Sequence, residues 1–221
     1  MKYLLKTFAY LFVFTIILGN ANAASFDDFF RAVRSDNASG VRELIERGFD
    51  PNTRDEKGQT GLLIALREPS PRVIQVLIDS PKTNVEARNA SDESPLMMAA
   101  IKGQQDIVLK LIARDADINK PGWTPLHYAA SSGQVAIMKI LLDKYAFIDA
   151  QSPNGTTPLM MAAMYGSSDS VKLLLEEGAD TTMKNQQGMT AVDFAKRADR
   201  GSVASMIGEV MQKKMPRDGK W

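Results

Sequence analysis

His127 is the single histidine among 221 residues, and there is no cysteine. The chain therefore has one imidazole able to move protons near neutral pH and no thiolate for catalysis or metal binding. A Ser-His-Asp nucleophile needs that imidazole free to accept a proton, and no Gly-x-Ser-x-Gly elbow accompanies it. Carboxylates are numerous, but they fall at turns and on helix exteriors with no pair marked out to converge in a cleft. The doublets Asp92-Glu93 and Glu176-Glu177 lack calcium-loop spacing. Met97, Met98, Met160 and Met161 could offer soft sulfur to copper, yet their place inside helices reads as core filling. No catalytic residue, metal or cofactor is expected.

The elements that carry these residues repeat. Ser94-Pro95-Leu96-Met97-Met98-Ala99-Ala100, Thr124-Pro125-Leu126-His127-Tyr128-Ala129-Ala130 and Thr157-Pro158-Leu159-Met160-Met161-Ala162-Ala163 align directly, with weaker copies starting at Thr60 and Thr190. Successive offsets are 34, 30, 33 and 33 residues. Each strong copy continues through a glycine (Gly103, Gly133, Gly166), an aliphatic run and a close of the type Ala116-Asp117-Ile118-Asn119, Phe147-Ile148-Asp149-Ala150 or Gly178-Ala179-Asp180. A hydroxyl before proline predicts a helix N-cap with proline at the first turn. Paired alanines predict close helix approach, and the following glycine predicts a left-handed helix end. Phe26, Phe29, Phe30 and Val33 fall on one face of a first helix, and Val203, Met206, Ile207 and Val210 on one face of a last.

The period and the motifs closely resemble the ankyrin-repeat family. The resemblance covers nearly all of the chain after residue 23 and implies an all-α solenoid of about six helix-turn-helix repeats joined by β-hairpin-like loops. It also implies that His127 is a structural hydrogen-bonding residue at the start of a helix. Two departures fall in turns. The 30-residue offset predicts a shortened finger at Asn119-Lys120-Pro121-Gly122-Trp123, and the prolines of Arg67-Glu68-Pro69-Ser70-Pro71 forbid a continuous helix.

Lys2 and Lys6, an apolar run from Phe8 to Leu18 and the close Ala21-Asn22-Ala23 have the order of a cleaved secretory signal. The run is short of the roughly 18 to 20 residues that span a bilayer, and no cysteine follows it for lipidation. The reading is a signal at 1–23, a repeat domain at 24–211 and a basic tail at 212–221, in a periplasmic monomer with no membrane attachment after cleavage. Without the first 23 residues, 25 basic residues stand against 26 acidic ones. They are interspersed, which argues against nucleic acid as a partner.

The resemblance implies that another protein is the partner and that it binds across the hairpin tips and the exposed ends of the inner helices. On this sequence that surface selects Trp123, Tyr165, Met164, Ile101 and Met189, with Glu93, Lys102 and Asn154 beside them. The five apolar residues come from neighbouring repeats and are larger than a solvated rim needs, which predicts a contact patch centred on Trp123. The competing expectation is that Trp123 closes the gap left in the shortened finger. A non-catalytic binding module is the leading functional reading. The alternatives are an inhibitor or immunity-type protein for a secreted toxin or enzyme, and a stress-protection factor for an envelope enzyme.

Overall fold

A computed structural model describes residues 25–68 and 70–214. The expected signal, 1–23, and residues 215–221 of the basic tail lie outside those described residues. The chain divides into two compact units, one through Ala90 and one from Ser91. Among the described residues there are helices and no strand; one isolated antiparallel bridge joins Arg54 and Thr60 at the base of a finger. No helix there is long and apolar enough to cross a membrane.

The first unit holds α1 (25–34), α2 (Ala38–Glu46), α3 (Gly61–Arg67) and α4 (Pro71–Asp79). On the expected face of α1, Phe29, Phe30 and Val33 are buried and Phe26 is half-buried, and Phe29 stacks on Phe49 at 4.6 Å between ring centroids. Asn37 caps α2 by accepting from the Gly40 amide at 3.0 Å. The N-cap of α4, Ser70, makes no side-chain cap bond. Asp36 serves instead, accepting from the Val73 amide at 2.9 Å and from Arg72 Nε at 3.0 Å. The break between α3 and α4 falls where the proline-containing turn predicts it.

The second unit contains four helix pairs. Its inner helices α5 (Pro95–Ile101), α7 (Pro125–Ser131), α9 (Pro158–Met164) and α11 (Ala191–Arg197) have seven residues each. They pack in order against one another, and α6 (Gln105–Ala113), α8 (Val135–Asp143), α10 (Ser168–Glu176) and α12 (Gly201–Lys214) form an outer row. Seven residues make about two turns, too few to persist alone in water, so each inner helix is held by its neighbours. The paired alanines Ala99-Ala100, Ala129-Ala130 and Ala162-Ala163 are completely buried in that seam. Arg200 finishes α9 from the next repeat, donating to the carbonyls of Ala162 and Ala163 at 2.8 and 2.9 Å.

One sequence expectation is corrected. Gly103 and Gly133 take φ of +72° and +74°, as a left-handed helix end requires, but Gly166 is not among the positive-φ glycines. Its constraint is space: a Cβ there would collide with the carbonyl oxygen of Ala130 in the neighbouring helix. Backbone cannot yield as a flexible side chain can, so Gly166→Ala is expected to destabilise the fold by roughly 1–3 kcal/mol. A lowered urea midpoint with an unchanged m-value would register it.

Candidate functional site

The fingers precede the inner helices and must close on themselves. In the fingers at 55–59, 152–156 and 185–189 the first residue's amide donates to the last residue's carbonyl, at 2.9 to 3.0 Å. A polar side chain at that first position also accepts finger amides: Asp55 Oδ1 from Lys57 and Gln59, Asn185 Oδ1 from Gln187 and Met189. The shortened finger opens instead on Lys120, four residues before Thr124. Its side chain is 1% exposed, and Nζ donates to the carbonyls of Pro121 and Trp123 at 3.1 Å each while pairing with Asp92 at 2.6 Å. An ammonium with three N–H donors thus replaces the missing backbone closure. A lysine is ordinarily a surface residue, which is why the sequence did not single it out.

Beside it, the completely buried His127 closes the start of α7. Its Nδ1 accepts from the Thr124 amide at 3.1 Å, which leaves the proton on Nε2, and Nε2 donates to the Thr156 carbonyl at 2.9 Å in the next finger. Both nitrogens are engaged, as the structural expectation required. Burial and the nearby Lys120 ammonium push the imidazole down to about 4, against the hydrogen bond to Thr156, which pulls it up. Trp123 is half-buried, its ring edge-on to His127 at 5.2 Å between centroids.

The remaining expected residues fall in two rows, not one cluster around Trp123. Glu93, Trp123, Asn154 and Met189 stand at the fingers, where the inner helices begin. Ile101, Lys102, Met164 and Tyr165 stand where α5 and α9 end, roughly 10 Å away at 1.5 Å per helical residue. Tyr165 is 63% exposed and Lys102 is exposed; Ile101, Met164 and Met189 are half-buried. Asn154 is exposed but engaged, its Oδ1 accepting from Ser152 Oγ and the Thr156 amide and its carbonyl accepting from the Gln186 amide. Between the rows lies Tyr128, half-buried in the middle of α7, whose hydroxyl donates to Glu93 at 3.2 Å. Burial and the Glu93 carboxylate raise its phenol well above the usual range, so it stays a neutral donor. Tyr128 was missed in sequence, although the two preceding repeats put Ile64 and Met98 at its place. Among the described residues no group of three or more His, Asp or Glu side chains is placed to hold a metal ion.

Comparison with known proteins follows the same periodicity. A family model described as ankyrin repeats (3 copies) matches residues 29–121, 86–152, 115–185 and 148–209. The mouse B-cell lymphoma 3 protein homolog is 32% identical over 163 residues, covering 71% of this chain and 36% of that protein. The rat ankyrin repeat and SAM domain-containing protein 6 is 32% identical over 109 residues, 48% of this chain and 12% of the relative. Neurogenic locus notch homolog protein 1 of Xenopus laevis is 32% identical over 124 residues, 55% of this chain and 5% of the relative. The chain spans about a third or less of the length of these relatives.

The buried imidazole makes stability pH-dependent. In the unfolded chain the ring takes a proton near its ordinary value of 6.5, whereas in the folded chain it does so only near 4. The unfolded state binds the extra proton, so a contribution fully present above pH 6.5 is lost as pH falls towards 4, roughly 3 kcal/mol in all. Urea midpoints at about pH 7 and about pH 4.5 should differ more for the native chain than for His127→Gln, which has no proton to gain.

Proposed function

The chain belongs to the ankyrin-repeat family, and from that premise we propose that it is a non-catalytic periplasmic module that binds another protein across its finger tips and inner-helix ends. Ankyrin-repeat proteins are protein–protein interaction modules. The observation that carries the reading is Tyr165, 63% exposed at the end of α9 beside the half-buried Met164, where the packing of the fold asks for neither an aromatic ring nor a thioether. Tyr128 of α7, tethered to Glu93 of the finger that precedes α5, supplies a second aromatic with its hydroxyl already oriented. Large rigid side chains with a polar tip are the ones that concentrate binding energy in protein interfaces. The one imidazole has both nitrogens committed to backbone, which removes the histidine on which proton-transfer catalysis would have rested. The periplasmic location rests on the order of charged, apolar and small residues in 1–23.

Cross-linking and affinity capture from the periplasm, comparing the native chain with the Trp123→Ala, Tyr165→Ala double variant, tests the surface. Recovery of a specific partner should fall by about tenfold or more in the double variant. Tyr165→Ala alone should leave the melting temperature nearly unchanged, as expected for an exposed side chain. Equal recovery of the same partner by both chains would remove these residues from the interface. A Trp123→Ala chain that melts earlier but binds as before would show that the indole only closes the short finger.

A further inference from the structure

The turns that follow the outer helices share one design, broken once. After α6, α8 and α10 the backbone takes a left-handed residue, then donates back into the helix: Asp115 and Ala116 to Ile112 and Leu111, Tyr145 and Ala146 to Leu142 and Leu141, Gly178 and Ala179 to Leu175 and Leu174. The left-handed residue after α10 is glycine, the type that adopts this conformation without strain, and after α6 it is aspartate, which tolerates it. After α8 it is Tyr145, at φ +63° and 84% exposed. Two residues further on, Asp117 and Asp180 each accept the amide two positions ahead, from Asn119 at 2.9 Å and Thr182 at 2.8 Å. The corresponding residue after α8 is Phe147, which has no acceptor and is 65% exposed.

One turn thus discards both local devices and gains two exposed aromatic rings. Nothing in the folding of the repeat accounts for this: the rings are outside the core, and one sits in a strained conformation. The segment that carries them is nevertheless held in place, because Asn119 donates to the Tyr145 carbonyl at 2.8 Å and accepts from the Phe147 amide at 2.8 Å. On the other side Asp149 accepts from the Asp180 amide at 2.9 Å. Strain and exposed apolar area retained at a rigid position are marks of a contact surface.

The charge around the rings defines what they contact. The neighbouring turns and helix ends contribute the exposed Asp115, Asp117, Asp143, Glu176, Glu177 and Asp180, against the cations Lys110, Arg114, Lys144 and Lys172, the last of them 3.8 Å from Glu176. This edge repels phosphates and anionic lipid, and its carboxylates and ring faces together suit guanidinium and ammonium groups. We propose that the Tyr145 and Phe147 turn is a second interaction surface of this chain, aromatic at its centre and acidic around it, that takes an arginine- or lysine-bearing segment of a partner protein. It lies on residues distinct from the finger and inner-helix surface and does not depend on that surface being used.

The test uses the full chain and a short peptide of alternating Arg and Leu, with alternating Glu and Leu as control, followed by amide chemical shifts. The Arg peptide should move the amides of 114–119, 143–149 and 176–182, less so as salt is raised, and the Glu peptide should not. The double variant Tyr145→Gly, Phe147→Asp restores both turn devices. It should bind the Arg peptide at least about tenfold more weakly and yet melt a few degrees higher. Shifts confined to other residues, or unchanged affinity in the double variant, would overturn the proposal. So would a lowered melting temperature, which would make the rings structural. Self-association of the native chain in sedimentation velocity that disappears in the double variant would assign the turn to a second copy of this chain and equally overturn it.

Discussion

A seven-residue helix does not hold itself together in water, and the whole architecture follows from that. Each inner helix of the second unit is held by the neighbours it packs on, so the sides it shares with them must be small enough to let them approach and its ends must lie in the same buried seam. The alanine pairs satisfy the first demand. The second is harder, because the N-cap residues Ser94, Thr124 and Thr157 are themselves almost completely buried, and an unpaired amide there would cost far more than one facing water.

The four inner helices of the second unit answer that demand with three kinds of side chain at one position. The N-cap amide donates to His127 Nδ1 at 3.1 Å, to Met97 Sδ at 3.3 Å, to Met160 Sδ at 3.5 Å and to Asp193 Oδ2 at 2.8 Å. Burial explains the assignment. Met97 and Met160 are buried, where a carboxylate would be uncompensated and a polarizable thioether both fills space and accepts weakly. Asp193 is half-buried on the last inner helix, and its bonds from the Thr190 backbone and hydroxyl hold its carboxyl below the usual range. His127 alone reaches onward to the next finger, which is why the ring that looked most like a catalyst is bound on both sides by backbone.

The repeat period, the N-caps and the helix pairs were legible in sequence because each rests on a residue whose type has one dominant reason to be there. Legibility failed where one letter has several causes. Gly166 reads like Gly103 and Gly133, but it is glycine for want of room beside Ala130 and not for its φ. The 30-residue offset located the short finger without revealing that Lys120 would turn inwards to close it. For the candidate surface, sequence placed the residues along the chain but not in space. Helix length separates Trp123 from Ile101 and Tyr165, and Tyr128, which lies between the two rows, carries no motif of its own. Phe147 stood in plain view within Phe147-Ile148-Asp149-Ala150 and passed as an ordinary repeat close, because its exposure is decided by the turn and not by its type.

Departures from a repeat pattern therefore divide by what surrounds them. Lys120 breaks the rule that lysines face water, but three oxygen partners balance its ammonium within its own finger and the preceding one. Met97 and Met160 stand where a more polar acceptor is usual, yet their sulfurs accept the N-cap amides and their side chains fill the core. Such changes are complete in themselves and need no second molecule. Tyr165 at the end of α9, and Tyr145 with Phe147 after α8, show the opposite balance: apolar area left in water and, at Tyr145, a backbone conformation that disfavours a side chain. A fold under selection for stability alone would have no reason to retain them, since glycine and aspartate at the corresponding places of the α10 turn already satisfy the backbone. These rings are the places where the chain's own packing leaves large apolar area in water.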